Sequence, residues 1–131
     1  PELNHKFADA LIAAGRFREA SELIARQQNP KYAAAAYATL QTAAFYSGDY
    51  DVSSEAGRQA LERTKEPTIA YNIACAEARA GRADEALVWI ERAVEMGYRD
   101  VDAMVSDSDL ETLRSRPEFE AICERLREVA V

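Results

Sequence analysis

The chain has few of the residues that break or crosslink a fold. Its 131 residues include 5 glycines, 4 prolines, 2 cysteines, 1 histidine and 1 tryptophan. Cys75 and Cys123 belong to no CxxC pair, which favours two thiols in a helical core over a disulfide framework or a zinc site. The sequence also has no glycine-rich phosphate loop, no HExxH and no GxSxG elbow. We therefore expect a protein that is not an enzyme and that binds no cofactor and no metal.

Long apolar runs and an excess of positive charge are also missing. No apolar run approaches the ~20 residues that cross a bilayer, and the first ten residues are too polar for a signal peptide. The net charge is −7, and from residue 67 onward 14 acidic residues face 8 basic ones. An acidic surface repels phosphate backbones. We expect no nucleic-acid partner, no membrane insertion and a cytoplasmic location. Because the chain begins with Pro1, we also expect it to be part of a longer protein.

Acidic residues cluster near the end of the chain, at Asp100, Asp102, Asp107 and Asp109. A calcium loop needs alternating ligands, a glycine and a distal glutamate, and this stretch lacks that spacing. Helix capping is the better interpretation, with a capping box from Ser108 to Glu111 that starts a short helix. Trp89 lies beside an apolar helical stripe, so we expect it to pack in the core.

What the sequence does contain is a regular spacing of glycines. Gly15, Gly48 and Gly81 are 33 residues apart, and similar segments surround them: AGRFREAS, SGDYDVSS and AGRADEAL. Apolar residues between them recur at threes and fours, as in Ile69, Ile73 and Ala76, which indicates helices. A glycine between two helices allows the left-handed conformation of a chain reversal. The sequence predicts an all-α protein with helices over residues 2–14, 17–28, 31–47, 51–64, 67–80 and 83–96.

This pattern resembles the tetratricopeptide repeat, a helix–turn–helix unit. The match is best in AYNIACAEARAGRADEALVWIERAVEMG, with weaker units before it. The resemblance implies a right-handed α-solenoid of three antiparallel helix pairs, with repeats over residues 1–33, 34–66 and 67–99. Ser53, Gly57 and Glu77 depart from the family's pattern and predict altered packing nearby.

Residues 100–131 resemble the tail that closes many bacterial tetratricopeptide arrays. Such a tail covers the apolar face that the last repeat would otherwise expose. Pro117 is expected to begin the last helix, whose inward stripe contains Phe119, Ile122, Cys123 and Leu126. We therefore expect a C-terminal helical cap that belongs to the same structural domain.

The resemblance also implies a binding surface, because in this family the first helix of each pair lines a concave groove. Carried onto this sequence, the groove residues are His5, Asp9, Ile12, Ala38, Thr42, Phe45, Tyr46, Tyr71, Asn72, Cys75 and Arg79. The lysines with which some family members grip a C-terminal carboxylate are missing here. Small and aromatic side chains instead favour an apolar or amphipathic segment, and Arg79 is expected to pair with an acidic group of that partner.

Two functions follow as alternatives. The first is a non-catalytic protein-interaction module, or scaffold, that holds a peptide segment of another protein in the groove. The second is a C-terminal accessory domain of a larger enzyme, such as a membrane protease, that recruits substrate or docks on another domain of the parent chain. Self-assembly and the oligomeric state stay open. We also expect Arg82, placed in a turn, to tolerate replacement by alanine.

Overall fold

A computed structural model describes the backbone of residues 2–130 and the side chains of residues 6–128. Over this part the chain is helical and has no β-strand, which confirms the all-α prediction. Eight α-helices, α1 to α8 in chain order, span Glu2–Ala13, Phe17–Ala25, Pro30–Tyr46, Tyr50–Thr64, Pro67–Arg79, Ala83–Met96, Val101–Ser106 and Pro117–Ala130. A 3₁₀ helix at Ser108–Leu113 lies between α7 and α8.

The three regularly spaced glycines form the same turn each time. Gly15, Gly48 and Gly81 have φ values of 76°, 84° and 84°, in the left-handed region that favours glycine. In each turn the amide after the glycine donates to the carbonyl five residues earlier, at 2.9 Å: Arg16 to Leu11, Asp49 to Ala44 and Arg82 to Glu77. This is the Schellman arrangement, which satisfies the last carbonyls of a helix. It reverses the chain from α1 to α2, from α3 to α4 and from α5 to α6.

Helices α1 to α6 each pack on their neighbours in the chain. The helices joined by the glycine turns contact each other, and α2 also packs on α3 as α4 does on α5. Alanines occupy fully buried positions at Ala20, Ala60 and Ala86, as expected where backbones approach closely. Trp89 is buried in α6, and Cys75 and Cys123 are buried free thiols, so these core predictions are confirmed.

The C-terminal segment packs on the end of this arrangement: the 3₁₀ helix contacts α5 and α6, and α8 contacts α6. The predicted capping box at Ser108 is wrong. Asp107 is the capping residue instead, because its Oδ1 accepts a hydrogen bond from the amide of Asp109 at 2.9 Å. The short helix α7, capped by Asp100, was not predicted from the sequence.

The unusual residues of α4 allow a close contact with α3 and α5. A Cβ at Gly57 would lie closer than 3.0 Å to Gln41 Nε2 and Ile73 Cγ1. Ser53 is fully buried, and its Oγ donates to the carbonyl of Gln41 at 2.8 Å. Gln41 Nε2 in turn donates to the carbonyl of Ile69 at 3.3 Å. The departures at Ser53 and Gly57 therefore make room for a polar side chain between three helices.

Glu77 is a buried carboxylate in α5 with 1% of its surface exposed. Ser54 Oγ donates to its Oε1 at 2.6 Å, and Arg58 Nη2 lies 3.3 Å from the same oxygen. Arg82 Nε donates to Oε2. A buried charge is stable in a fold when it is paired and hydrogen-bonded, and Glu77 meets both conditions.

Among the described residues, none of the helices combines the length and the apolar character needed to cross a membrane.

Candidate functional site

A cavity of about 200 Å³ opens between α3, α4, α5 and the loop that follows α7. Helix α3 supplies four of its lining residues, α4 one, α5 three and the C-terminal segment two. They are Gln41, Thr42, Phe45, Tyr46, Ser53, Tyr71, Asn72, Cys75, Asp107 and Asp109. The cavity therefore combines aromatic, neutral polar and acidic side chains in one place.

Six of the predicted groove residues line this cavity: Thr42, Phe45, Tyr46, Tyr71, Asn72 and Cys75. The spacing explains the grouping, because residues three and four apart share one face of a helix. Helices α3 and α5 both pack on α4, so their corresponding faces border one opening. The structure thus brings together six of the eight predicted groove residues on α3 and α5.

The other predicted groove residues lie elsewhere. Ile12 is buried in the core, because α1 packs on both α2 and α3, and it is not among the lining residues of the cavity. Asp9 is exposed on α1, and Ala38 is half-buried on α3. The side chain of His5 is outside the described residues. Arg79 is exposed beside the cavity rather than in its lining.

Aromatic rings form one side of the cavity. Tyr46 exposes 83% of its surface although it is a large aromatic residue. Its ring makes an edge contact with Phe45 at 5.5 Å between centroids, and Phe45 makes a similar contact with Tyr50. Such an exposed ring, held by an aromatic neighbour, can bury apolar area when a ligand arrives.

Two acidic side chains, Asp107 and Asp109, also line the cavity and form what we call the acidic wall. Tyr71 Oη donates to Asp107 Oδ2 at 2.7 Å, and the ring of Tyr71 stacks on Tyr98 with centroids 4.4 Å apart. Cys75 Sγ lies 3.9 Å from the same oxygen. Asp107 therefore caps the 3₁₀ helix with one oxygen and receives Tyr71 with the other.

Arg79 is already paired within the chain. Its Nε lies 3.7 Å from Asp109 Oδ1 and donates to Tyr50 Oη at 3.3 Å. The sequence analysis assigned Arg79 to an acidic group of a partner. In the structure, the acidic group beside Arg79 is Asp109 of the same chain.

The acidic wall perturbs the groups around it. Burial, together with the hydrogen bond to Asp107, raises the pKa of Tyr71 far above its usual range. Burial raises the pKa of the Cys75 thiol, and the charges of Asp107 and Asp109 raise it further. Burial and the Asp107 charge raise the pKa of Asp109, against a smaller opposing effect of Arg79. Tyr71 and Cys75 therefore keep their protons at neutral pH, and Cys75 is a poor nucleophile.

Cys75, Asp107 and Asp109 also bring potential ligand atoms within 4.8 Å of one another. The set fits a metal poorly, because the Cys75 thiol lies as a donor 3.9 Å from Asp107 Oδ2 and a thiol must lose its proton to bind a metal. In addition, one oxygen of Asp107 is engaged by Tyr71 and the other by the Asp109 amide.

Sequence reasoning missed four lining residues: Gln41, Ser53, Asp107 and Asp109. Gln41 was detectable, since it precedes Phe45 by four positions and shares its helical face. The two aspartates were interpreted as helix caps alone. Their second contact depends on how the C-terminal segment lies against α5, which no sequence spacing predicts.

Comparison with known proteins adds little. No family model matches the chain. It is similar to a protein of Arabidopsis thaliana described as chloroplastic, with 30% identity over 86 residues. The match covers 63% of this chain and 26% of the plant protein. The chain thus spans about a quarter of the length of that relative, whose description names a location and no activity.

Proposed function

We propose that the chain is a tetratricopeptide-like right-handed solenoid of three helix pairs, closed by residues 100–131, that binds a peptide segment of another protein. The repeated Schellman turn at 33-residue intervals supports this architecture. So does the packing of helices α1 to α6, each on its neighbours along the chain. We also propose a cytoplasmic location. We propose that nucleic acid is not a partner, because a net charge of −7 repels phosphate backbones.

One observation carries the binding function: Tyr46 and Phe45 present aromatic surface beside a cavity to which three helices contribute. Large exposed aromatic rings beside a concavity are typical anchors of protein interfaces. Binding a peptide there would remove the exposed ring of Tyr46 from water. The peptide can approach as a helix or as an extended strand, since both modes use apolar anchors in a groove.

The same site also suits the second function, an accessory domain of a larger enzyme. In that case the bound segment belongs to a substrate or to another domain of the parent chain. The physical recognition is the same, so one binding experiment tests both.

The test is selection of random peptides displayed on phage against the immobilised chain, followed by titration of the enriched sequences. We expect enriched peptides to carry an apolar or aromatic anchor. Replacing the two rings, in Phe45→Ala/Tyr46→Ala, should weaken their binding by at least ~2 kcal/mol, about thirtyfold in Kd. Tyr71 is unsuitable for this test because alanine there would break its bond to Asp107.

The matched control is Phe7→Ala, which removes an aromatic ring that is 59% exposed on α1, outside the cavity lining. It should leave binding unchanged. Thermal unfolding of each variant separates lost binding from lost folding. If enriched peptides bind the double variant at full affinity but lose binding to Val88→Asp, the surface between α4 and α6 is the binding site. Absence of any enriched peptide would contradict the function.

A further inference from the structure

We propose that the cavity receives the cationic side chain of a lysine or arginine from the bound segment, held between the acidic wall and the Tyr46 ring. This inference rests on the proposed function and specifies its ligand. It reverses the sequence expectation that the groove would receive an acidic group.

The first support is an acceptor in the cavity lining. Gln41 is 2% exposed, and its Nε2 is used in the bond to the Ile69 carbonyl. Its Oε1 accepts no hydrogen bond from any residue that the structure describes. This oxygen is not among the buried side-chain atoms that lack a partner, so it reaches the solvent that fills the cavity. A donor brought by a ligand can replace water at this acceptor.

The second support is that three hydroxyl donors of the cavity are already used. Tyr71 donates to Asp107, Ser53 to the Gln41 carbonyl and Thr42 to the Ala38 carbonyl at 3.2 Å. The carboxylates of Asp107 and Asp109 and the amide oxygen of Gln41 are acceptors. A ligand that brings hydrogen-bond donors, as an ammonium or guanidinium group does, therefore meets acceptors here, while the Asn72 amide and the Tyr46 hydroxyl can act as donor or acceptor.

The third support is charge. Two carboxylates line the cavity, and Arg79 lies near Asp109 at 3.7 Å with 49% of its side chain exposed. An exposed pair of this kind is weak, so an incoming cation can compete for Asp109. The ring of Tyr46 offers a further attraction, because cations are stabilised over aromatic faces.

The size of the cavity fits one side chain. Its volume is about 200 Å³, which is below the ~300–1,000 Å³ of pockets that hold whole small molecules. The peptide backbone would lie outside, across Phe45 and Tyr46, while the cationic side chain enters.

The experiment uses a peptide enriched in the selection and two synthetic analogues of it. In one the basic residue becomes norleucine, which keeps the apolar stem, and in the other it becomes glutamate. We expect the norleucine peptide to bind the wild-type chain at least about tenfold more weakly, since the charged hydrogen bonds are lost. The glutamate peptide should bind more weakly still.

Protein variants give the complementary test. Asp109→Asn should weaken the binding of the basic peptide about tenfold and leave the affinity of the norleucine peptide unchanged. Arg79→Gln should increase the affinity of the basic peptide about threefold, because the internal cation that competes for Asp109 is removed. The matched control is Asp102→Asn, an exposed carboxylate on α7 outside the lining, which should change neither.

The outcomes separate the two proposals. Suppose that Phe45→Ala/Tyr46→Ala weakens peptide binding. If the enriched peptides nevertheless lack basic residues, or if the norleucine peptide binds as tightly as the basic one, the peptide-binding function stands and this inference fails. Loss of affinity in Arg79→Gln would restore the acidic-ligand hypothesis. Titration with Zn²⁺ alone tests the remaining alternative. Stoichiometric uptake that Cys75→Ser abolishes would assign the acidic wall to a metal and overturn the inference.

Discussion

At the scale of single residues, Glu77 shows how much depends on partners that are distant in sequence. The sequence identified it as a departure from a repeat pattern that has an aromatic residue there. In the structure its carboxylate is satisfied by Ser54, Arg58 and Arg82. Arg82 therefore does more than occupy a turn, because it also pairs with Asp51 at 2.8 Å.

The first prediction concerns Arg82→Ala. The turn position alone suggested a change within about 0.5 kcal/mol. Removing the guanidinium leaves an oxygen of a buried carboxylate without its charged partner, so we expect a loss of about 1–3 kcal/mol in the free energy of unfolding. Urea denaturation measures it. The control is Arg18→Ala, an exposed arginine on α2, and an Arg82 variant as stable as this control would show that the pair contributes nothing.

The second prediction is a pH dependence. Burial acts to raise the pKa of Glu77, but the hydrogen bonds from Arg82 and Ser54 and the nearby positive charges outweigh it and lower the pKa. A carboxyl group whose pKa is lower in the folded state than in the unfolded state stabilises the fold fully at pH values above its unfolded pKa, here 4.5. That contribution is lost as the pH falls from there through the pKa of the folded state. The stability difference between wild type and Glu77→Gln should therefore be largest near neutral pH. It should shrink on acidification below about pH 4.5, and a constant difference would contradict this assignment.

At the scale of elements, the contact of α4 with α3 and α5 is governed by the missing side chain at Gly57. Glycine in a helix interior costs about 1 kcal/mol relative to alanine. Glycine is required at this position despite its lower helix propensity, because Gln41 and the fully buried Ile73 occupy the space that a Cβ would need.

The third prediction is that Gly57→Ala destabilises the protein although alanine favours helices. Overpacking against Gln41 and Ile73 should outweigh the gain in helix propensity and give a net loss of about 1–2 kcal/mol. Combining it with Gln41→Ala should cost less than the sum of the two single changes, since one clash is relieved. Additive effects, or a stabilised Gly57→Ala, would mean that the helices separate without cost.

The sequence predicted elements better than it predicted their contacts. Six helices lie within three residues of their expected bounds, because apolar spacing and the glycine turns are local signals. Helix α7 and the 3₁₀ helix are too short for a periodic pattern. In the site, the faces of α3 and α5 were predictable from spacing. The acidic wall was not, since it arises where Asp107 and Asp109 meet α5 across more than 30 residues of chain.

At the scale of the whole molecule, the C-terminal segment both closes the core and completes the cavity. Its buried side chains include Met104, Leu110 and Leu113, none of which is exposed to solvent. Exposed pairs from Arg116 to Asp84 and from Arg125 to Glu91 add contacts to α6.

The fourth prediction is that removing residues 100–131 exposes apolar surface on α5 and α6 and causes aggregation, measured by light scattering. The full-length variant Leu110→Asp tests the same contact without truncation, because a charge at a fully buried position is costly. It should unfold at lower urea concentration than the control Asp102→Asn. A monomeric truncation with unchanged stability would show that the segment is not a cap.

The bonds around Glu77 also limit how this protein can be rearranged. Identical repeats can in principle be duplicated, deleted or shuffled, since every interface is the same. Here Glu77 belongs to one helix pair while Ser54 and Arg58 belong to the preceding one, and Gly57 is matched to Ile73 in the same way. A chimera that joins residues 67–131 directly after α2 would bury a carboxylate without these partners. Because Gln41 also bonds to Ser53 and Ile69, an exchange that preserves this interface must move residues 41–82 together.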